Sequence, residues 1–65
     1  MLVSLNGETK EIKSDLLCNA LTELGYEDEG FAVAVNGEFV PRPTYNEYFL
    51  SEKDEIDVVA PIAGG

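Results

Sequence analysis

Apolar and β-branched residues flank an Asn-Gly pair at the start of the chain, "MLVSLNGETKEI". Asn-Gly readily takes the two positive φ angles of a type I′ turn, so the segment predicts a hairpin. A two-residue turn sets Leu5 opposite Glu8 and Val3 opposite Lys10. The apolar side of the first strand then meets long polar side chains, a mismatch that a bulge, or Lys10 laying its stem along the core, is expected to resolve. In "SDLLCNALTELG" the period changes. Leu16, Leu17, Ala20, Leu21 and Leu24 fall within one helical arc, with Thr22 opposite and Cys18 and Asn19 off the stripe. Ser14 is the expected N-cap, Asp15 suits the positive end of the helix dipole, and Gly25 suits the left-handed position after the last turn. The acidic "YEDEG" that follows reads as a solvated connector.

"FAVAVNGEFVPRP" repeats the hairpin signature. A two-residue turn at Asn36-Gly37 pairs Val35 with Glu38, Ala34 with Phe39 and Val33 with Val40, which sends Val33 and Val40 to one face and Ala34 and Phe39 to the other. Pro41 and Pro43 end the pairing because neither can donate to a ladder. "TYNEYFL" suggests a single turn capped by Thr44, with Tyr45, Tyr48, Phe49 or Leu50 tucked inward. After the polar turn in "SEKDE", a last strand alternates Ile56, Val58 and Ala60 with Asp57 and Val59. The order strand, strand, helix, strand, strand, strand predicts an α+β fold, a mixed sheet of four to five strands with one helix packed across one face.

Composition narrows the function. A length of 65 residues supports one domain, residues 1–65, with a thin core and little room for an enclosed active-site cavity, which favours a binding or carrier module over an enzyme. Thirteen acidic residues against four basic ones leave a formal charge of −9. That charge repels phosphate backbones and anionic membranes, so neither nucleic acid nor membrane is an expected partner, and any protein that recognises the surface should be basic. No apolar run approaches the roughly 20 residues of a membrane span, and the first residues lack the organisation of a signal peptide, so a cytoplasmic location is expected. Cys18 is the only cysteine and there is no histidine. No internal disulfide can form, no metal site is expected, and the usual general base is missing. Nothing in "DLLCNALTEL" supplies a cation to activate Cys18, which reads as structural.

The last residues raise a different chemistry. In "PIAGG", residues 61–65, Gly64-Gly65 follows the predicted final strand by a few positions, and the segment reads as a flexible tail. Ala63, Gly64 and Gly65 are narrow enough for a partner to thread through a channel to a terminal carboxylate. A carboxylate resists nucleophiles, but a mixed anhydride made with ATP is attackable by sulfur.

"AVAVNGEFVPR" and "DEIDVVAPIAGG", together with "VSLNGE" and the helix in the same order, resemble the small sulfur-carrier proteins of the ubiquitin-like β-grasp fold, over essentially the whole chain. The resemblance is strongest to the thiamin branch, the ThiS family, through Val40-Pro41-Arg42 and the final Ala-Gly-Gly. It implies that an E1-like adenylyltransferase (ThiF) uses Mg-ATP to adenylate Gly65, and that sulfur drawn from cysteine by a cysteine desulfurase converts it to a thiocarboxylate. Thiazole synthase (ThiG) then takes the sulfur for the thiazole ring of thiamin. The chain itself would bind no cofactor, act as a recycled co-substrate rather than a catalyst, and be a monomer when free. Docking is assigned to Val59 beside Asp57, to Phe39 on the neighbouring strand and to Ile62 at the root of the tail. Arg42 is expected to form a surface ion pair, or else to contact the activating enzyme. "SEKDE" departs from the family, which has a glycine before the aspartate matched by Asp54, so a different turn is expected there. The alternatives are the small subunit of molybdopterin synthase, which is longer and lacks the Val-Pro-Arg stretch, and a non-covalent ubiquitin-like adaptor. Conjugation to lysines would need the same activated carboxylate.

Overall fold

The computed structural model describes residues 1–26 and 30–59. Strands β1 (Leu2–Leu5) and β2 (Glu8–Glu11) precede helix α1 (Leu17–Glu23); strands β3 (Ala32–Val35) and β4 (Glu38–Val40), a 3₁₀ turn (Arg42–Thr44) and strand β5 (Glu55–Val59) follow. They form one five-stranded sheet in the order β2-β1-β5-β3-β4. β1 and β5 run parallel, and every other pair is antiparallel. The last strand is therefore central, with one hairpin on each side of it. Residues 27–29 of the connector, Ala60 of the expected last strand and the tail, residues 61–65, lie outside the described residues.

Both hairpins have the expected register, Leu5 opposite Glu8 and Val3 opposite Lys10 in the first, Val35 opposite Glu38 and Ala34 opposite Phe39 in the second. Positive φ at Asn6 (50°), Gly7 (88°), Asn36 (53°) and Gly37 (83°) makes both turns type I′, whose twist matches that of the flanking strands. The mismatch in the first hairpin needs no bulge. β2 is an edge strand exposed along its whole length, Lys10 pairs with Glu8 across 3.5 Å, and only the following Ile12 reaches the core. Ile12 is fastened to the chain start in both directions, its N–H to the Met1 carbonyl at 2.9 Å and its carbonyl to the Met1 ammonium at 2.8 Å.

One face of the sheet is covered. Leu17, Ala20 and Leu21 of the helix pack with Val3, Leu5, Ile12, Val33, Val35, Val40, Ile56 and Val58, and each fully buried branched side chain contributes about 1.5–3 kcal/mol. The helix starts later than its sequence suggests. Leu16, not Ser14, is the N-cap residue and offers no side-chain cap, and Asp15 lies outside the first turn. The orphan amides of that turn find distant carbonyls instead, Leu17 N–H on Tyr48 at 2.8 Å and Cys18 N–H on Tyr45 at 3.0 Å. Leu50 N–H closes the same junction on the Asp15 carbonyl, and Leu16 bridges Phe49. The far end of the helix follows expectation: Gly25, at φ 97°, donates to Thr22, and Tyr26 donates to Leu21, which is a Schellman motif.

The segment after β4 turns earlier than expected, over Arg42–Thr44 with Pro41 rather than Thr44 at its N-cap, and the Thr44 hydroxyl donates back to the Pro41 carbonyl at 2.7 Å. Tyr45 and Leu50 are buried, Tyr48 is half-buried, and Phe49 is exposed. The turn before β5 has a left-handed residue that is not a glycine, Lys53 at φ 70°. Asp54 holds it by accepting from the Ser51 N–H at 2.8 Å, while Lys53 N–H reaches the Leu2 carbonyl at 2.7 Å. A lysine in that conformation costs on the order of 1 kcal/mol. Lys53→Gly should therefore raise the unfolding free energy by about 0.5–1 kcal/mol, read as a higher urea midpoint at unchanged slope.

Glu23 supports the helix from outside. Its two carboxylate oxygens accept the Lys13 and Ser14 N–H groups, each at 2.8 Å, and these backbone bonds hold its pKa below the ordinary glutamate range. A depressed folded-state pKa adds stability that is present above the unfolded value and lost as pH falls through the folded one. Acid titration of stability should thus show a component below about pH 4.5 that Glu23→Gln removes, the variant being less stable than the parent at neutral pH.

Candidate functional site: the outer sheet face and the root of the tail

Period-two alternation leaves the second face of the sheet uncovered. Val59, Asp57 and Glu55 of β5 are exposed there, Ala32 and Ala34 of β3 lie beside them, and Phe39 of β4 completes the row. Registers fix the arrangement: Phe39 is opposite Ala34, which is opposite Asp57, and Ala32 is opposite Val59. Phe39 (68% exposed) and Val59 (67% exposed) are the two most exposed large apolar side chains among the described residues. Phe39 is not on the strand next to β5. β3 intervenes, and its two alanines make a low floor between the two larger side chains. That arrangement is a shallow apolar trough edged by the Asp57 carboxylate.

Arg42 sits at the same end of the sheet as Val59, because Ala32 pairs with Val59 and the residue before it, Phe31, holds the guanidinium. Arg42 Nη2 donates to the Phe31 carbonyl at 2.7 Å, and its guanidinium carbon lies 4.9 Å from the Phe31 ring centroid and 5.6 Å from that of Tyr45. The two rings stack 6.4 Å apart, with Tyr26 against Phe31 on the other side. A planar guanidinium on aromatic faces is a cation–π contact that lysine reproduces poorly. Arg42 thus ties the start of β3 to the turn after β4, beside the point where β5 leaves the sheet.

Ile62, Ala63, Gly64 and Gly65 lie outside the described residues. What the structure adds to them is the geometry of their root, and it brings in two residues that sequence reasoning took only as turn formers. Asn6 accepts the Val58 N–H on Oδ1 at 2.8 Å and donates its own N–H to Ile56 at 2.9 Å. Asn36 does the same on the other side, with its Oδ1 accepting Glu55 N–H at 3.0 Å and its N–H on the Glu55 carbonyl at 2.8 Å. Asn36 Nδ2 also donates to Asp54 at 3.0 Å. The repeated Asn-Gly, once before each flank of the same strand, was the available sign.

Among the described residues no cluster of His, Cys, Asp or Glu is placed to hold a metal ion, and no helix is long and apolar enough to cross a membrane. Cys18 is half-buried, its thiol 3.7 Å from Asn19 Oδ1.

Comparison with known proteins agrees with this architecture. A thiamine biosynthesis protein (ThiS) from Geobacter metallireducens superposes with a TM-score of 0.83 over 100% of both chains at 22% identity, a likeness of fold. A thiazole synthase of Paramagnetospirillum magneticum is 33% identical over 66 residues, which take in 100% of this chain and 20% of that protein. The chain therefore spans about a fifth of the length of that relative. A profile of the ThiS family matches residues 3–65. With its β-grasp sheet and near-complete match, the chain belongs to the ThiS family.

Proposed function

We propose that the chain carries sulfur for the thiazole ring of thiamin as a thiocarboxylate on Gly65. The observation that carries this reading is the extent of the family match, which runs through Gly64 and Gly65 to residue 65. The chemistry requires a carboxylate at that position. ATP converts it to an acyl-adenylate with loss of pyrophosphate, a sulfur nucleophile displaces AMP, and the carbonyl is left bearing sulfur in place of one oxygen. Transfer of that sulfur to the acceptor, with an oxygen from the acceptor or from water taking its place on the carbonyl, returns the carboxylate. The protein thus acts as a co-substrate. Mg-ATP belongs to the activating enzyme, an E1-like adenylyltransferase, and a cysteine desulfurase is the proposed source of sulfur.

The relative named as a thiazole synthase supports that enzyme as the acceptor, because one polypeptide contains both a segment like this chain and four times as much additional sequence. Joining a carrier to its acceptor replaces a bimolecular encounter by an intramolecular one. The trough between Phe39 and Val59, next to the root of the tail, is the proposed docking surface for a partner whose active site closes over residues 63–65. A rigid, central β5 suits that task, since a partner that grips the sheet then knows where the tail begins.

Incubating the chain ending at Gly65 with the activating enzyme, ATP and a sulfur source should shift its intact mass by the exchange of one oxygen for sulfur. No shift with an activator of proven competence would reject the proposal, and deletion of Gly65 should abolish both the shift and thiazole formation while leaving the fold intact. Phe39→Ala and Val59→Ala should each change stability by less than about 0.5 kcal/mol, as expected for exposed sites. Both should nonetheless slow sulfur loading, measured as a raised KM for the carrier.

A further inference from the structure

The two Asn-Gly turns form a matched pair with different surroundings. Each reads Asn-Gly-Glu after an apolar residue, and their φ angles nearly coincide, 50° and 88° at Asn6 and Gly7 against 53° and 83° at Asn36 and Gly37. All four residues are exposed, and the space beside both glycines is open. The side chains differ. Asn6 is held by one bond, Oδ1 to Val58 N–H, and its Nδ2 makes no hydrogen bond among the described residues. Asn36 is held at both atoms, Oδ1 by Glu55 N–H and Nδ2 by Asp54 Oδ1.

We propose that Asn6 is a site of spontaneous deamidation in the folded protein and that Asn36 is protected by the Asp54 carboxylate. In this reaction the Gly7 nitrogen gives up its proton to base and attacks Cγ of Asn6. The new N–Cγ bond closes a five-membered imide as the Cγ–Nδ2 bond breaks, and the nitrogen departs as ammonia. One water molecule then opens the imide at either carbonyl, leaving aspartate or isoaspartate. No oxidant or cofactor is needed. To react, each side chain must swing out of its bonds toward the following glycine nitrogen. Asn6 gives up one bond and Asn36 two. The Asp54 charge also opposes the negative charge that builds at Cγ of Asn36, and it holds the nitrogen that must leave.

The products are as unequal as the rates. Aspartate at position 6 still offers an oxygen to Val58 N–H. Aspartate at position 36 would replace the donor to Asp54 by a second carboxylate, so two like charges would meet where a 3.0 Å hydrogen bond now lies. Isoaspartate at position 6 routes the main chain through Cβ, which breaks the two-residue turn that sets Leu5 opposite Glu8 and releases the grip on Val58, one residue before the end of β5. The inference does not depend on sulfur carriage.

The test is a time course of the full chain in mildly alkaline buffer, folded and in urea, with peptide mapping of the mass gained when NH is replaced by O. In urea the two sites should convert at similar rates, since both are followed by Gly-Glu, the residues nearest the attacking nitrogen. In the folded protein Asn6 should convert at least about fivefold faster than Asn36, the factor that corresponds to one hydrogen bond of about 1 kcal/mol. Equal folded rates, a faster Asn36, or a folded Asn6 that stays intact while the urea sample converts would each overturn the proposal.

Discussion

Strand β5 is gripped along both edges by the two halves of the chain that precede it. β1 lies parallel to it on one side and β3 antiparallel on the other. At each side an asparagine from the adjoining hairpin turn adds a side-chain acceptor to the ladder, Asn6 for Val58 and Asn36 for Glu55. A parallel neighbour joined by a long crossover and an antiparallel one joined by a turn segment must both be in place before this strand can pair fully. Everything else follows from that closure. Ile56 and Val58 reach the core only because the strand is central, and Asp57 and Val59 face outward only because the same register alternates them.

That closure also explains how so thin a core supports a usable surface. The helix and the apolar face of the sheet form one cluster, and none of its buried members is polar or charged. Polar accounts are settled at the margins. Glu23 takes two amides in front of the helix, carbonyls of residues 45 and 48 take two more, and the Asp54 carboxylate joins the turn before β5 to Asn36. The outer face carries no such structural duty. Phe39 and Val59 are exposed there, across two alanines, outside the buried cluster, and this is the face proposed above for docking.

Charge shapes the same division. Carboxylates outnumber cations along the chain, while a rare cation, Arg42, is folded onto aromatic rings and a carbonyl at the end of the sheet where β5 ends. Asp57, in line with Ala34 and Phe39, gives the trough a polarity as well as a shape.

Local chemistry sufficed for much of this. Asn-Gly determined both turns and thereby the registers of both hairpins, because a type I′ turn admits one pairing. The leucine stripe and Gly25 determined the helix and its end, and alternation separated Ile56 and Val58 from Asp57 and Val59. The motif of the final strand and Gly64-Gly65 marked the family, since the resemblance lies in the order of residues rather than in their packing. Tertiary structure decided the rest, wherever the partner was distant in sequence. Ser14 has the chemistry of a cap, yet helix α1 begins at Leu17 because backbone carbonyls from 45 and 48 arrive to satisfy its first amides. Lys53 adopts a left-handed turn that its side chain does not favour, held by Asp54 and Leu2. The strand order, which puts two alanines between Phe39 and β5 and turns two asparagines into latches, depends on long-range pairing that no local window of sequence contains.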